Sequence, residues 1–250
     1  MNSKNPFFKT DTFTNTSAVH DAVVIDNNQT MTVAGTINKS FILLLLLVAG
    51  AFATWNMAFN GQNPIFLTIG GAIVGLIFVL ITTFKPKLST YLSPAYAVAE
   101  GLFIGGLSAI FEVKYPGIVM QAVSATFVTF LVCFALYKYK IVQVTEKFRS
   151  VVIAATAAIA VYYLLSWVLT FFIHYQPVNY GNSMMSIGIS VFVIIIAALN
   201  LFLDFDQIEK GVAQRAPKYM EWYGAMGLMI TLVWLYVEFL RLLSKLSSRK

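Results

Sequence analysis

The chain has 250 residues, of which 58% are apolar or aromatic and 11% are charged, with a mean hydropathy of +0.76. Soluble domains carry about 25% charged and about 45 to 50% apolar residues, so this composition excludes a soluble enzyme. It also excludes a disordered chain, because aromatic residues reach 15%, and a disulfide scaffold, because Cys133 is the only cysteine. The sequence therefore predicts an integral membrane protein in a lipid bilayer, and the net charge of +6 reflects loop orientation rather than binding to nucleic acid.

The first 37 residues differ from the rest of the chain. They are polar, rich in Asn, Thr and Ser, and carry only scattered charges. Such a segment cannot bury a core, and it is too long and too polar to open a secretory signal. We interpret residues 1–37 as a mobile cytoplasmic tail and residues 38–250 as the transmembrane domain.

Seven apolar runs follow the tail, each close to the 20 or so residues that a helix needs to cross a bilayer core about 30 Å thick. None alternates in polarity as a barrel strand would, and the connections between them are short. The sequence predicts an all-α polytopic bundle of seven transmembrane helices. The predicted spans are 41–59, 65–84, 91–111, 118–137, 151–173, 184–203 and 222–243.

Positive charge alternates between the connections. The first, third and fifth connections lie on one side of the membrane, and together they contain a single cation, Lys114. Because cationic loops stay in the cytoplasm, we expect a cytoplasmic N-terminus. The cations on the predicted cytoplasmic side are Lys4, Lys9, Lys39, Lys85, Lys87, Lys138, Lys140, Lys147, Arg149, Lys210, Arg215 and Lys218.

The C-terminal cations oppose this orientation. A complete seventh crossing places Arg241, Lys245, Arg249 and Lys250 outside. Either the twelve other cations decide the orientation, or the last span does not fully cross. We favour a full crossing.

Ionisable residues in the membrane are costly, at about 2.5 to 3.5 kcal/mol on insertion scales, and are candidates for function. The spans hold Glu100, Asp204 at the inner end of span six, and Glu238 in the outer half of span seven, while Asp206 follows span six. Carboxylates without a nearby cation favour the protonated form or face water. These four residues are therefore candidates for a proton or cation gate.

Structural roles remain open for each carboxylate. Glu238 and Arg241 are three residues apart on one helix face and can form a local ion pair. Asp204 and Asp206 can end span six in headgroup water, and Glu100 can make a buried hydrogen bond.

Small residues recur at a spacing of four, which lets helices approach closely. We assign Gly71, Gly75, Gly101 and Gly105 to helix packing.

No metal or catalytic site is predicted. His20 lies in the tail and His174 at an outer span end, so neither has a second ligand at metal spacing. Residues 204–209 begin like a calcium loop but lack its third ligand and its glycine. An embedded protease, a zinc hydrolase and a retinal protein each need residues that are missing, so we expect no enzyme activity and no resident cofactor.

Four segments carry a family resemblance. Residues 203–208 (LDFDQI) with 235–243 (LYVEFLRLL) resemble the Bax inhibitor-1-like family of membrane proteins, and 93–105 (SPAYAVAEGLFIG) with 216–225 (APKYMEWYGA) resemble a bacterial subgroup of it. The resemblance covers about 36–246. It implies six helices around a central seventh helix, in the inner membrane of a bacterium. It also implies pH-sensitive calcium leak through two aspartates on helices six and seven, or regulation of a membrane protease or of cell death.

The residues match this family's site only in part. Asp204 matches the aspartate of helix six, but Thr231 stands where the aspartate of helix seven is expected. Glu238 lies seven residues further on, about 10 Å along the helix, and we do not assign it as the substitute for that aspartate. The expected cluster is therefore Asp204, Asp206 and Glu100.

Two hypotheses follow. The first is a cation leak, with calcium as the transported ion, that is closed while the Asp204-centred cluster is charged and opens on protonation. The alternative is a non-conducting regulator that binds another membrane protein through its glycine-rich faces and its tail. The sequence does not define the oligomeric state.

Overall fold

A computed structural model describes residues 30–173, 181 and 183–249 of the chain. Most of the tail, His20, His174 and Lys250 lie outside these residues. Within the described residues the chain forms seven α-helices, each long and apolar enough to cross a membrane, so the predicted fold class is confirmed. The helices are α1 (Val33–Phe59), α2 (Ile65–Phe84), α3 (Ser89–Lys114), α4 (Ile118–Lys138), α5 (Glu146–Ile173), α6 (Met184–Ala213) and α7 (Met220–Ser247).

Several helices extend beyond the apolar runs that predicted them. Helix α1 begins at Val33, where Thr32 caps it by accepting a hydrogen bond from the Gly35 amide, so the residues from Val33 onward belong to a helix rather than to the tail. Helix α6 continues to Ala213. Hydropathy detects only the apolar part of a helix, whereas the backbone stays helical until a cap or turn ends it.

Asp204 and Asp206 therefore lie inside α6 and do not end the helix. Helix α7 has 28 residues. At about 1.5 Å per residue this is about 42 Å, which is enough to cross a bilayer core about 30 Å thick.

Helix α7 occupies the centre of the bundle. It packs against α1, α3, α4 and α6, whereas α2 packs mainly on α3 and α5 on α6. Leu235 and Leu240 of α7 are fully buried, as expected for a helix enclosed by its neighbours. The central seventh helix implied by the family resemblance is thus present.

The connections are short, so successive helices run in opposite directions. One end of the bundle contains the starts of α1, α3, α5 and α7 and the ends of α2, α4 and α6. We call it the basic end, because it holds Lys39, Arg149, Lys210 and Lys218.

Candidate functional site

A small cavity of about 140 Å³ lies between α2, α6 and α7 near the basic end. Its wall includes Thr82 close to the end of α2, Tyr223 close to the start of α7, and Asp204 and Gln207 from α6. The cavity wall thus contains Asp204, one of the carboxyl groups that the sequence identifies as candidates for function.

Asp204 has an incomplete set of hydrogen-bond partners. Its Oδ2 atom is buried and has no partner among the described residues, and the same is true of Thr82 Oγ1 in the same wall. Thr231 of α7 lies near the Asp204 carboxyl group, and its hydroxyl donates to the Gly227 carbonyl at 3.3 Å. Because buried polar atoms are nearly always paired with protein or water, two unpaired oxygens in one wall favour a site that takes up water or a cation.

Glu100 lies deeper in the bundle, against α2. Its Oε2 atom is 2.9 Å from the position that a Cβ atom on Gly75 would occupy, so the missing side chain leaves room for the carboxyl group. Gly75 precedes Val79, a wall residue of the Asp204 cavity, by one helical turn, or about 6 Å. Glu100 does not itself contribute to the described wall.

Asp206 faces a different part of the molecule. It accepts a hydrogen bond from Arg149 Nη2 at 2.8 Å and forms an ion pair with Lys210 Nζ at 2.9 Å. Residues two apart on a helix point to different faces, so Asp204 and Asp206 do not share a cavity. The expected cluster of Asp204, Asp206 and Glu100 is therefore not formed among the described residues.

Glu238 forms a separate polar site towards the other end of α7. Only 1% of its surface is exposed, and its Oε1 atom accepts hydrogen bonds from Arg241 Nη1 at 3.0 Å and Tyr163 OH at 3.1 Å. Arg241 also donates to Tyr163 OH at 2.9 Å. This arrangement is the local ion pair that the three-residue spacing allows, and it lies outside the described wall of the Asp204 cavity.

The four glycines assigned to packing lie at close helix contacts. A Cβ atom on Gly71 would meet the Ala99 carbonyl of α3, and one on Gly101 would meet the Leu47 carbonyl of α1. A Cβ atom on Gly105 would likewise meet the Ala51 carbonyl. Gly75 provides the space beside Glu100. These glycine faces are thus occupied by helices of the same chain.

Glu221, a fully buried carboxylate at the start of α7, is not among the residues predicted from the sequence. It forms ion pairs with Lys39 of α1 and with Lys218 at 3.0 Å, and its Oε1 atom accepts hydrogen bonds from the amide and hydroxyl of Thr32, both at 2.9 Å. Glu221 immediately precedes the predicted span at 222–243, so an outward extension of that span would have included it.

Lys245 is a second buried charged residue that the sequence did not predict, because it lies beyond the predicted span at 222–243. It is 4% exposed, and its Nζ atom donates to the Ser190 hydroxyl at 2.7 Å and to the Ser186 carbonyl at 3.2 Å. A charged group buried among polar oxygens of α6 links the end of α7 to the rest of the bundle.

Among the described residues, no three His, Cys, Asp or Glu side chains lie together in a group that could hold a metal ion. Comparison with protein families shows that the family model described as Bax inhibitor 1 like matches residues 5–248 of the chain. No match was found among curated proteins.

Proposed function

The chain belongs to the Bax inhibitor 1 like family, and from this premise we propose that it is a pH-sensitive cation leak with calcium as the transported ion. The observation that carries the proposal is Asp204 Oδ2, a buried carboxylate oxygen without a described partner in the wall of a cavity near one end of the bundle. Carboxylate oxygens are the ligands that calcium prefers in proteins.

The position of Glu100 supports a route from this cavity into the bundle. Glu100 lies about one helical turn beyond the cavity wall along α2, and it has no described cation or hydrogen-bond partner. A cation that leaves the Asp204 cavity thus meets a second carboxyl group about one helical turn away. Conduction needs such successive sites of moderate affinity.

The contact between Asp204 and Thr231 provides a means of gating. In the proposed closed state, an ionised Asp204 attracts the Thr231 hydroxyl away from the Gly227 carbonyl and holds α6 against α7. A protonated Asp204 is a weaker acceptor, so protonation loosens this contact and widens the cavity towards Glu100. The leak is closed when Asp204 is charged and opens as the pH falls.

The orientation is part of the same proposal. We assign the basic end to the cytoplasm of a bacterial cell, because cationic loops remain on that side of the inner membrane. Asp204 then senses cytoplasmic pH.

Calcium flux into liposomes that contain the purified full chain tests the proposal between pH 6 and 8. We expect flux to rise as the pH falls, Asp204→Asn to abolish this dependence, and Glu100→Gln to lower the flux. Glu146→Gln serves as a matched control, because Glu146 is an exposed carboxylate at the same end whose side chain is 82% accessible. Unchanged flux in both Asp204→Asn and Glu100→Gln would rule the proposal out.

The alternative function is a non-conducting regulator that binds a membrane protease or another membrane protein. The glycine faces contact helices of this chain, so they are not free to bind a partner. The support for this alternative is therefore the polar N-terminal segment. Deletion of residues 1–29 separates the two functions while retaining the Thr32 contact with Glu221. A leak keeps its flux after this deletion, whereas a regulator that depends on the tail loses its partner in a pull-down.

A further inference from the structure

An apolar seam runs between α1 and α4 along the length of the bundle. Both helices pack against α7, and α1 packs most extensively on α3. Two cavities open along the line between α1 and α4, one of about 590 Å³ near the basic end and one of about 410 Å³ in the other half. Leu228 of α7 contributes to the first and Leu232 to the second, so the two cavities share the central helix as a floor.

The larger cavity changes in character along its length. Its deep part is aromatic and apolar, formed by Phe130, Phe134, Phe205 and Leu228. At about 1.5 Å per residue, Phe130 lies about 12 Å below Lys138. Known ligand sites have volumes of about 300 to 1,000 Å³, and this cavity falls within that range. It fits a ligand with a long apolar part and a polar group at the basic end.

The charges on the rim define the polar group. Lys138 and Lys140 are exposed, line the cavity and have no ion-pair partner among the described residues. The end of α4 is closed by a hydrogen bond from the Lys140 amide to the Tyr137 carbonyl at 2.9 Å, which keeps both lysines beside the cavity.

The carboxylates of the same cavity already have partners. Asp206 is paired with Arg149 and Lys210, and Glu209 accepts a hydrogen bond from the Tyr137 hydroxyl. Tyr137 is neutral and does not cancel the charge of Glu209, so Lys138 and Lys140 together exceed this carboxylate by one positive charge. The rim therefore complements an anion.

We propose that the seam binds an anionic phospholipid, with its phosphate at Lys138 and Lys140 and an acyl chain along the apolar floor between α1 and α4. A bilayer supplies this ligand at the correct depth, because the lysines lie at the end of a membrane-spanning helix. Basic pockets between transmembrane helices bind anionic headgroups by this chemistry. The site is separate from Asp204, so it does not depend on the proposed leak.

Native mass spectrometry of the full chain in detergent, titrated with phosphatidylglycerol or phosphatidylcholine, tests the assignment. We expect phosphatidylglycerol to bind more tightly, and the double substitution Lys138→Gln and Lys140→Gln to weaken its binding roughly 30-fold, since each lysine near a headgroup contributes about fivefold. The double substitution Lys85→Gln and Lys87→Gln removes the same charge from another exposed connection of the basic end and should change binding less than twofold.

A second pair of variants tests the cavity itself. Ile37 and Ile42 of α1 are 44% and 45% exposed, but only Ile37 lines the cavity. Ile37→Trp should weaken phosphatidylglycerol binding at least fivefold, whereas Ile42→Trp should not. The proposal is overturned if the two lipids bind equally or if both lysine double substitutions weaken phosphatidylglycerol binding equally. It is also overturned if Ile37→Trp binds phosphatidylglycerol as tightly as the wild type.

Discussion

Lys39 of α1 forms an ion pair with Glu221 of α7, and the side chain of Glu221 is fully buried. The two residues are 182 positions apart in the chain, so this contact fixes the start of the first helix against the start of the last. Thr32 adds two hydrogen bonds to the same carboxylate, and Lys218 adds a second cation.

Glu221→Gln should destabilise the folded protein by about 3 kcal/mol, because it leaves Lys39 without its counter-charge in a largely buried site. Thermal or denaturant unfolding in detergent measures this change. Glu146→Gln, at an exposed carboxylate, should remain within about 0.5 kcal/mol of the wild type. Equal stability of the two variants would show that the ion pair does not hold α1 to α7.

Two adjacent glycines of α2 should respond in opposite ways to alanine. A Cβ atom on Gly71 would meet the backbone of α3, with the Phe103 nitrogen at 3.0 Å, whereas a Cβ atom on Gly70 would have no neighbour within 4 Å. Gly71→Ala should cost about 1 to 3 kcal/mol by forcing the helices apart. Gly70→Ala should be neutral or stabilising by up to about 1 kcal/mol, because alanine favours the helix. Unfolding measurements in detergent compare them, and a destabilised Gly70→Ala would contradict the predicted packing.

Thr231→Val should remove the hydroxyl that lies near Asp204 while it keeps the size of the side chain. If this contact closes the proposed leak, calcium flux at pH 8 should approach the flux of the wild type at pH 6. Thr231→Ser retains the hydroxyl and should preserve the wild-type pH profile. Flux from liposomes measures both variants, and a wild-type profile in Thr231→Val would exclude gating through this contact.

Arg241→Gln should destabilise the protein by about 3 kcal/mol, since Glu238 is 1% exposed and loses its cation. The double variant Glu238→Gln with Arg241→Gln should be more stable than the sum of the two single losses predicts, because no unpaired charge is left buried. The unfolding free energies of the wild type, the two single variants and the double variant give this coupling energy. Strict additivity of the two single losses would argue against the ion pair.

The candidate site was predictable from the sequence only in part. Asp204 is identifiable because an aspartate in an apolar run is costly, and the match to Thr231 locates its neighbour on α7. The sequence places Asp206 beside it, but the helical rotation between residues two apart separates their side chains. The pairing of Asp206 with Arg149, 57 residues away, depends on how α5 packs against α6.

The sequence by itself determined the class of protein, the seven helices and the separation of cations between the two ends, because an apolar solvent imposes these requirements on each segment locally. Only the tertiary structure decided which carboxylates are neutralised by cations and which remain without partners. That outcome depends on the rotation and lateral packing of helices distant in the chain, which bring Lys39 to Glu221 and Arg149 to Asp206 but place no described cation beside Asp204.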